Sequence, residues 1–214
     1  MIPLHYDQKQ TEMKKHLSIL ASLLFILTSS ISFAQNADAQ VKRIVQSLRD
    51  PKNIAIRFNY QYLVNNDEKA EAKQGQAYLQ GECYKIVMEE QQTISDGKTI
   101  WTYLVEDGEC MVSNASEGTD NTPVKLLTTL DKNYTATAKD ATTIELSNPK
   151  GEFKKVLLTL DKKNGEMSGL EIVADDDSKL VITLLETKTN QELGEDFFIF
   201  DEKKHPDVEI IDMR

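Results

Sequence analysis

The sequence predicts a mainly antiparallel β fold with a few helices (α+β): an unclosed, strongly curled barrel of about eleven strands, capped by two or three short helices. Three dipeptides, Asp96-Gly97, Asp107-Gly108 and Asn164-Gly165, are typical of tight hairpin turns. Segments rich in β-branched and aromatic residues flank them. The helical segments are too few to alternate with the strands as βαβ units, so helices on one side of an antiparallel sheet remain. A sheet of this length has to curl.

Residues 1–34 have the pattern of a secretory signal peptide, with Met13 as the expected natural start. Two lysines after Met13 precede an apolar run from Leu17 to Leu27, and small residues up to Ala34 resemble a cleavage site. The run is shorter than the roughly 20 residues that a membrane span needs. We therefore expect export and a single mature domain of residues 35–214.

The composition excludes several function classes. The chain has 25 basic and 35 acidic residues and a formal net charge of −10, which disfavours binding to nucleic acid or to an anionic membrane by bulk charge. His205 is the only histidine beyond the predicted leader, so histidine-based catalytic and metal sites have little support. No cofactor is expected.

The two cysteines, Cys83 and Cys110, are predicted to be free thiols. If the segments between them are consecutive antiparallel strands, they lie about three strand spacings apart, roughly 14 Å. A disulfide needs a Cα separation below about 7 Å. Curvature of the sheet is the one feature that could still bring the two residues together.

The mature chain is expected to open with an amphipathic helix. One apolar stripe is predicted by the i, i+3, i+4, i+7 spacing of Val41, Ile44, Val45 and Leu48. Asp38 is the expected N-cap of this helix, and Pro51 closes the segment.

A second, short helix is predicted to begin at Thr122-Pro123, because threonine favours the N-cap and proline the first helical position. Its apolar residues lie on more than one side: Val124, Leu126, Leu127 and Leu130. Such a helix has to bury itself against the sheet or serve as a lid.

Strands are expected over most of the remaining chain. The clearest covers residues 56–64, where Ile56, Phe58, Tyr60, Tyr62 and Val64 alternate with mostly polar residues. Further strands are predicted on both sides of Asp96-Gly97 and at Gly75–Leu79, Tyr84–Met88, Cys110–Val112, Tyr134–Ala138, Thr143–Leu146, Phe153–Leu160, Gly169–Ala174, Lys179–Leu185 and Phe197–Phe200.

Large apolar side chains at alternate strand positions are expected to share one face of the sheet. Trp101 and Tyr103 point to the same face because they are two residues apart on one strand. The candidate lining of a cavity for an apolar ligand is Phe58, Tyr60, Tyr62, Tyr84, Ile86, Met88, Trp101 and Tyr103. The candidate lid residues are Val41, Ile44, Val45, Leu48, Leu126, Leu127 and Leu130. The same residues would also suit a core that is completely filled by side chains. An error of one residue in the assumed strand register would exchange the inward-facing and outward-facing side chains.

No catalytic motif is found. The sequence has no G-x-S-x-G elbow, phosphate loop or dinucleotide fingerprint. The acidic residues are better explained as solvated surface than as a carboxylate pair for glycoside chemistry. Asp175–Asp177 is interpreted as a solvated turn, since the ligand loop of a calcium site is missing. The chain is therefore not expected to be an enzyme.

The mature chain resembles the periplasmic lipoprotein carrier family, LolA and its relatives, over nearly all of residues 36–212. Five segments match family motifs in the same order: Gly75–Leu79, Ser95–Tyr103, Asn121-Thr122-Pro123, Phe197–Phe200 and Asp207–Ile211. The hairpin Ser95–Tyr103 is the most specific of them. The resemblance implies an unclosed, eleven-stranded barrel capped by three helices, with a hydrophobic cavity that shields the acyl chains of lipoproteins.

The resemblance also implies partners. Family members are loaded by an inner-membrane lipoprotein-releasing ABC transporter and unloaded by an outer-membrane receptor, and this chain is expected to act as a monomer on acylated lipoproteins. It departs from the family pattern at one place. The family's functional arginine falls near Gln80 or Gly81, and neither residue can replace the polar latch that the arginine implies.

Two other functions remain open at this point. One is a lipid-binding sensor module of envelope-stress regulation with the same fold; such sensors usually carry a second domain. The other is a lipid-processing enzyme that uses the same cavity, for which no catalytic constellation is present.

Overall fold

The computed structural model of the protein describes residues 37–64, 70–115, 123–148, 153 and 155–214. The predicted signal peptide and the predicted N-cap at Thr122 lie outside these residues. Within them, helix α1 covers residues 37–49 and helix α2 covers Pro123–Asn133. The strands are β1 (Ile54–Leu63), β2 (Lys73–Gln80), β3 (Cys83–Val87), β4 (Gln91–Ser95), β5 (Thr99–Leu104), β6 (Glu109–Asn114), β7 (Thr135–Ala138), β8 (Thr143–Ser147), β9 (Lys155–Leu160), β10 (Met167–Val173), β11 (Lys179–Thr189) and β12 (Glu209–Asp212).

All twelve strands of the described chain belong to one curled sheet, in the order β12-β6-β5-β4-β3-β2-β1-β11-β10-β9-β8-β7. Neighbouring strands are antiparallel except β12, which pairs parallel with β6. Strand β1 joins the N-terminal meander to the C-terminal one through its pairing with β11. Because β12 and β7 lie at opposite edges, the barrel is not closed. The predicted α+β fold with an unclosed, curled barrel is confirmed.

The end of the chain differs from the prediction. Phe197–Phe200 was expected as a strand, but it forms turns, in which Phe197 N donates to Gly194 O and Ile199 N donates to Asp196 O, both at 3.2 Å. The predicted strand is wrong because Phe197 and Phe200 pack against side chains on the outside of the sheet and the segment pairs with no strand of the described chain. The last strand is instead β12, which overlaps the segment Asp207–Ile211 that resembled a family motif.

Helix α1 begins earlier than predicted. Asp38 lies inside the helix and is not its N-cap. Its carboxylate Oδ1 instead accepts a hydrogen bond from Ala136 N of β7 at 3.1 Å. Asp38 therefore ties the helix to the edge of the sheet. No helix among the described residues is long and apolar enough to span a membrane.

Candidate functional site

The sheet has an inner face, which carries both helices, and an outer face. One inner row runs across the sheet because directly paired residues point the same way: Tyr60 pairs with Ile182, Ile182 with Leu170, and Leu170 with Leu158. This row connects β1 to the strands under the helices. The inner face is thus one continuous apolar surface.

Six of the eight predicted cavity residues lie on this inner face, and we call them the inner wall. The register places Leu79 opposite both Ile54 and Tyr84, so the even-numbered residues of β1 and β3 share the face. The inner wall consists of Phe58, Tyr60, Tyr62, Tyr84, Ile86 and Met88. Its aromatic rings form a chain, with centroids 6.1 Å apart for Phe58 and Tyr60 and 5.9 Å apart for Tyr60 and Tyr62.

Burial varies along the inner wall. Tyr60 is 1% exposed and Phe58 is 5% exposed, whereas Tyr62, at the end of the strand, is 53% exposed. The lining is therefore closed at the centre of the sheet and opens towards the end of β1. Through Tyr62, the apolar surface of the inner wall extends to the solvent-exposed end of β1.

Trp101 and Tyr103 do not belong to this face, and the prediction that all eight residues share it is wrong. Tyr84 pairs with Ser95 and Ser95 with Ile100, so Ile100 faces inwards and Trp101 outwards. Trp101 and Tyr103 pack with Ile94, Cys110, Phe200 and Val208 in a separate small core on the outer face. Large apolar side chains occur on the outer face here because residues 197–208, which we call the C-terminal cover, bury part of that face. Their size and hydrophobicity therefore did not identify the inner face.

The predicted lid residues lie together over the other half of the inner face. Leu130 and Val45 are fully buried, and Leu127 is 8% exposed. One core cluster contains Val41, Ile44, Val45, Leu126, Leu127 and Leu130 together with side chains from β7–β10 such as Leu146 and Leu158. Leu48 packs against both this cluster and the inner wall. Both helices therefore cover the inner face, and Leu48 lies at the boundary between its two halves.

Polar contacts hold helix α1 in place at both ends. The Arg49 guanidinium donates two hydrogen bonds to the Asp131 carboxylate of helix α2, both at 3.0 Å. Gln40 Nε2 donates to Gly165 O of the β9–β10 turn at 2.9 Å. The Arg49–Asp131 pair joins the C-terminal ends of the two helices. The pair therefore links the two helices at the protein surface.

Gln80 and Gly81, where the resemblance placed the arginine of the family, make local contacts. Gln80 is the last residue of β2, and its Oε1 lies 3.5 Å from Asn53 Nδ2. Gly81 has a φ of 59° in the turn to β3, a conformation that favours glycine. Within the described chain, no hydrogen bond joins either residue to a helix.

A cleft of about 560 Å³ opens beside helix α1, and we call it the α1 cleft. Ile44 and Leu48 line it from the helix, and Ile56, Met167 and Leu184 line it from the sheet. Its rim is polar and includes residues 164–166 of the β9–β10 turn. The α1 cleft leads from solvent to the boundary between the inner wall and the helices. Its size fits the range of small-ligand pockets, roughly 300–1,000 Å³.

A polar cluster lies at the open end of the inner wall. The Tyr60 hydroxyl donates to Glu90 Oε2 at 2.7 Å and accepts from Glu89 N at 3.1 Å, and Lys73 forms an ion pair with Glu90. Burial, and then the bond to Glu90, raise the pKa of Tyr60 to about 12. The hydrogen bonds from Lys73 and from Tyr60 lower the pKa of the Glu90 carboxyl. Glu90 thus connects strands β1 and β2 to the β3–β4 turn.

Replacement of Glu90 with glutamine is expected to reduce stability in a pH-dependent way. Because the folded-state pKa of Glu90 lies below its ordinary value of 4.5, its contribution is present above pH 4.5 and is lost as the pH falls through the lowered pKa. The difference in unfolding free energy between wild type and Glu90→Gln should therefore be largest at neutral pH and shrink below pH 4.5. Urea unfolding at several pH values measures it. A difference that does not depend on pH would contradict this role.

The cysteines and acidic groups of the described chain show no further reactive arrangement. Cys83 on β3 and Cys110 on β6 are free thiols, as predicted from their separation. Burial raises the pKa of both thiols, that of Cys110 to about 11, which keeps them protonated at neutral pH. Among the described residues, no three His, Cys, Asp or Glu side chains are grouped closely enough to hold a metal ion.

Comparison with known proteins identifies one matching family model. The model of the outer membrane lipoprotein carrier protein LolA matches residues 52–201. No curated protein matches the chain.

Solved structures of similar proteins share little sequence with this chain. A DUF1329 family protein from Desulfovibrio piger is 10% identical, with 78% of this chain and 97% of that chain covered and a TM-score of 0.46. A LolA superfamily protein from Nitrosomonas europaea is 11% identical (77% and 97% covered, TM-score 0.42). An uncharacterized conserved protein from Thermus thermophilus is 12% identical (81% and 98% covered, TM-score 0.49). With TM-scores below 0.5, these similarities carry no weight for the function.

Proposed function

The chain belongs to the LolA family of outer membrane lipoprotein carrier proteins, and on this basis we propose that it is a periplasmic carrier that shields the acyl chains of lipoproteins. The observation that supports the proposal is the continuous apolar inner face, covered by two helices and reached through the α1 cleft. The cargo is an acylated lipoprotein whose chains lie along the inner wall.

The energetics suit such a cargo. Each buried CH₂ group of an acyl chain contributes about 0.8 kcal/mol. Release then requires a closed state that a partner can open, because a ligand or partner shifts an equilibrium only by its differential affinity for the two states. Helices α1 and α2 are the proposed lid. Arg49–Asp131 links them at the surface, where a salt bridge contributes at most about 1 kcal/mol, so it does not prevent opening.

Export and partners complete the proposal. Residues 1–34 are removed as a signal peptide, and residues 35–214 act as one carrier domain. An inner-membrane lipoprotein-releasing ABC transporter loads the protein, and an outer-membrane receptor unloads it.

N-terminal sequencing of the protein purified from the periplasm of the native organism tests the signal peptide, and the mature N-terminus is expected at or near Gln35. A sequence that begins within residues 1–20 would reject cleavage at this site.

Replacement of Leu48 with asparagine tests the acyl-binding surface. Leu48 lines the α1 cleft and contacts both halves of the inner face. Leu48 is half-buried in the empty protein. Full burial of a side chain of this size contributes roughly 1.5–3 kcal/mol, so loss of its contact with an acyl chain in Leu48→Asn is expected to weaken binding of a fluorescent fatty-acid probe about tenfold. The control is Gln46→Asn, because Gln46 is exposed on the same helix. Equal affinities for the two variants would place the acyl site elsewhere.

Native mass spectrometry of the protein purified from its own periplasm tests the function itself. Copurified lipoprotein is the expected result. Free lipid without lipoprotein would instead favour the lipid-sensing module. The absence of any bound lipid, together with no binding of the fatty-acid probe, would indicate a filled core and remove the basis of the carrier proposal.

A further inference from the structure

A second cleft lies on the outer face, opposite the inner wall and the helices. It has a volume of about 770 Å³ and lies between strands β3 and β4 and residues 196–205. We call it the Lys85 cleft. Its volume is within the range of pockets that hold small organic ligands, roughly 300–1,000 Å³.

The walls of the Lys85 cleft are aromatic and already ordered. Phe197 packs edge-on against Tyr78, with the ring centroids 4.8 Å apart. Phe200 stacks on His205 at 5.0 Å and is 5% exposed. Ile199, also in the lining, is 44% exposed. The half-buried Phe197 ring and the exposed Ile199 side chain thus present apolar surface to a ligand, and their packed surroundings lower the ordering cost of binding.

A positively charged side chain in this cleft is only partly compensated. Lys85 Nζ lies 5.2 Å from the centroid of the Phe197 ring. Among the described residues, no ion pair includes Lys85, whereas Lys204 pairs with Asp201 at 3.1 Å. Burial, and then the nearby Lys204, lower the pKa of Lys85. A half-buried ammonium group without a carboxylate partner favours binding of an anion.

Three carboxylates also line the cleft, and among the described residues none of them forms an ion pair with Lys85. Asp201 pairs with Lys204 and accepts a hydrogen bond from Lys203 N at 3.1 Å. Glu202 lies close enough to Cys110 to contribute to the raised pKa of that thiol. Asp196 is exposed. The carboxylates therefore leave Lys85 available to a ligand.

We propose that the Lys85 cleft binds a small organic carboxylate with an aromatic or alkyl body. The carboxylate contacts the Lys85 ammonium group, and the body packs against Phe197 and Ile199. This site is separate from the acyl-binding inner face, so it is a second binding function of the domain and does not depend on the carrier role.

Titration with 4-phenylbutyrate tests the proposal, with calorimetry for affinity and NMR of the side chains for position. We expect saturable binding with a dissociation constant of about 1 mM or tighter, and shifts of the Phe197 ring and the Lys85 side-chain signals. The uncharged analogue 4-phenylbutanol should bind about tenfold more weakly, because it cannot pair with the ammonium group.

Variants locate the site independently. Lys85→Met keeps the aliphatic stem and removes the charge, and it should weaken 4-phenylbutyrate binding about tenfold. Lys162→Met removes an exposed lysine in the β9–β10 turn and should leave the affinity unchanged. Three results would each overturn the proposal. The wild type could bind the acid and the alcohol with equal affinity, or Lys85→Met could bind the acid as tightly as the wild type does. The third is no saturable binding of the acid to the wild type up to about 10 mM. The alcohol comparison needs no variant, so misfolding of Lys85→Met cannot obscure the result.

Discussion

Replacement of Phe200 with alanine is expected to lower the free energy of unfolding by about 3–5 kcal/mol, the range for truncation of a well-packed phenylalanine. Phe200 is 5% exposed, and its ring contacts Tyr103 at 5.7 Å and His205 at 5.0 Å between centroids. It is the main side chain through which the C-terminal cover packs on Ile94 and Cys110. Loss of this ring leaves the outer-face core without its cover, and urea unfolding measures the cost.

The same variant distinguishes the two faces of the sheet. Trp101 belongs to the outer-face core, so its fluorescence emission should shift to longer wavelength in Phe200→Ala as water reaches the ring. Binding of a fatty-acid probe should remain, because the inner wall lies on the opposite face. Ile199→Ala is the matched control, since the neighbouring Ile199 is 44% exposed and should have little effect. Loss of probe binding in Phe200→Ala without global unfolding would contradict the separation of the faces.

Replacement of Leu127 with asparagine is expected to loosen helix α2 and to weaken retention of an acyl ligand. Leu127 is 8% exposed within the cluster that joins both helices to the sheet. The substitution removes roughly 1.5–3 kcal/mol of apolar burial. It also buries an amide, which costs about 1–3 kcal/mol more if the amide finds no hydrogen-bond partner. Amide hydrogen exchange in helix α2 should therefore become faster in the empty protein.

Ligand retention provides the second measurement for the same variant. Dissociation of the fatty-acid probe from Leu127→Asn should be faster than from wild type, because the closed state of the helices is less stable. Lys132→Asn is the control, since Lys132 is exposed on the same helix. If exchange in helix α2 and probe dissociation both match the control, helix α2 is not part of the lid.

Most of the local structure follows from the sequence alone. The alternation of Phe58, Tyr60 and Tyr62 predicted β1, because a strand places every second residue on one face. The i, i+3, i+4, i+7 spacing from Val41 to Leu48 predicted helix α1 and its buried side. The separation of Cys83 and Cys110 along a meander predicted free thiols. The first two properties depend on chain geometry over a few residues, and the third depends on the order of strands β3 to β6 in the sheet. The structure agrees with all three.

The family was also identifiable from sequence. The hairpin Ser95–Tyr103 and four weaker segments resembled the lipoprotein carriers, and the family model matches residues 52–201. Whether the candidate residues bind lipid depends on an interaction with a ligand, and it stays a prediction for Phe58, Tyr84 and the other members of the inner wall.

The face that each strand presents to the helices could be assigned only from the tertiary structure. Trp101 and Tyr103 are as apolar as the inner wall, so their composition could not assign them to a face. The assignment depends on the register across two successive hairpins, in which Tyr84 faces inwards with Ser95 and Ile100. It also depends on residues 197–208, nearly a hundred positions further along the chain, which pack their phenylalanines on the outer face. A remote segment that buries one side of a strand leaves no local periodicity in that strand. The segment Phe197–Phe200 itself resembled a strand because aromatic residues favour strands, although its side chains serve as a cover.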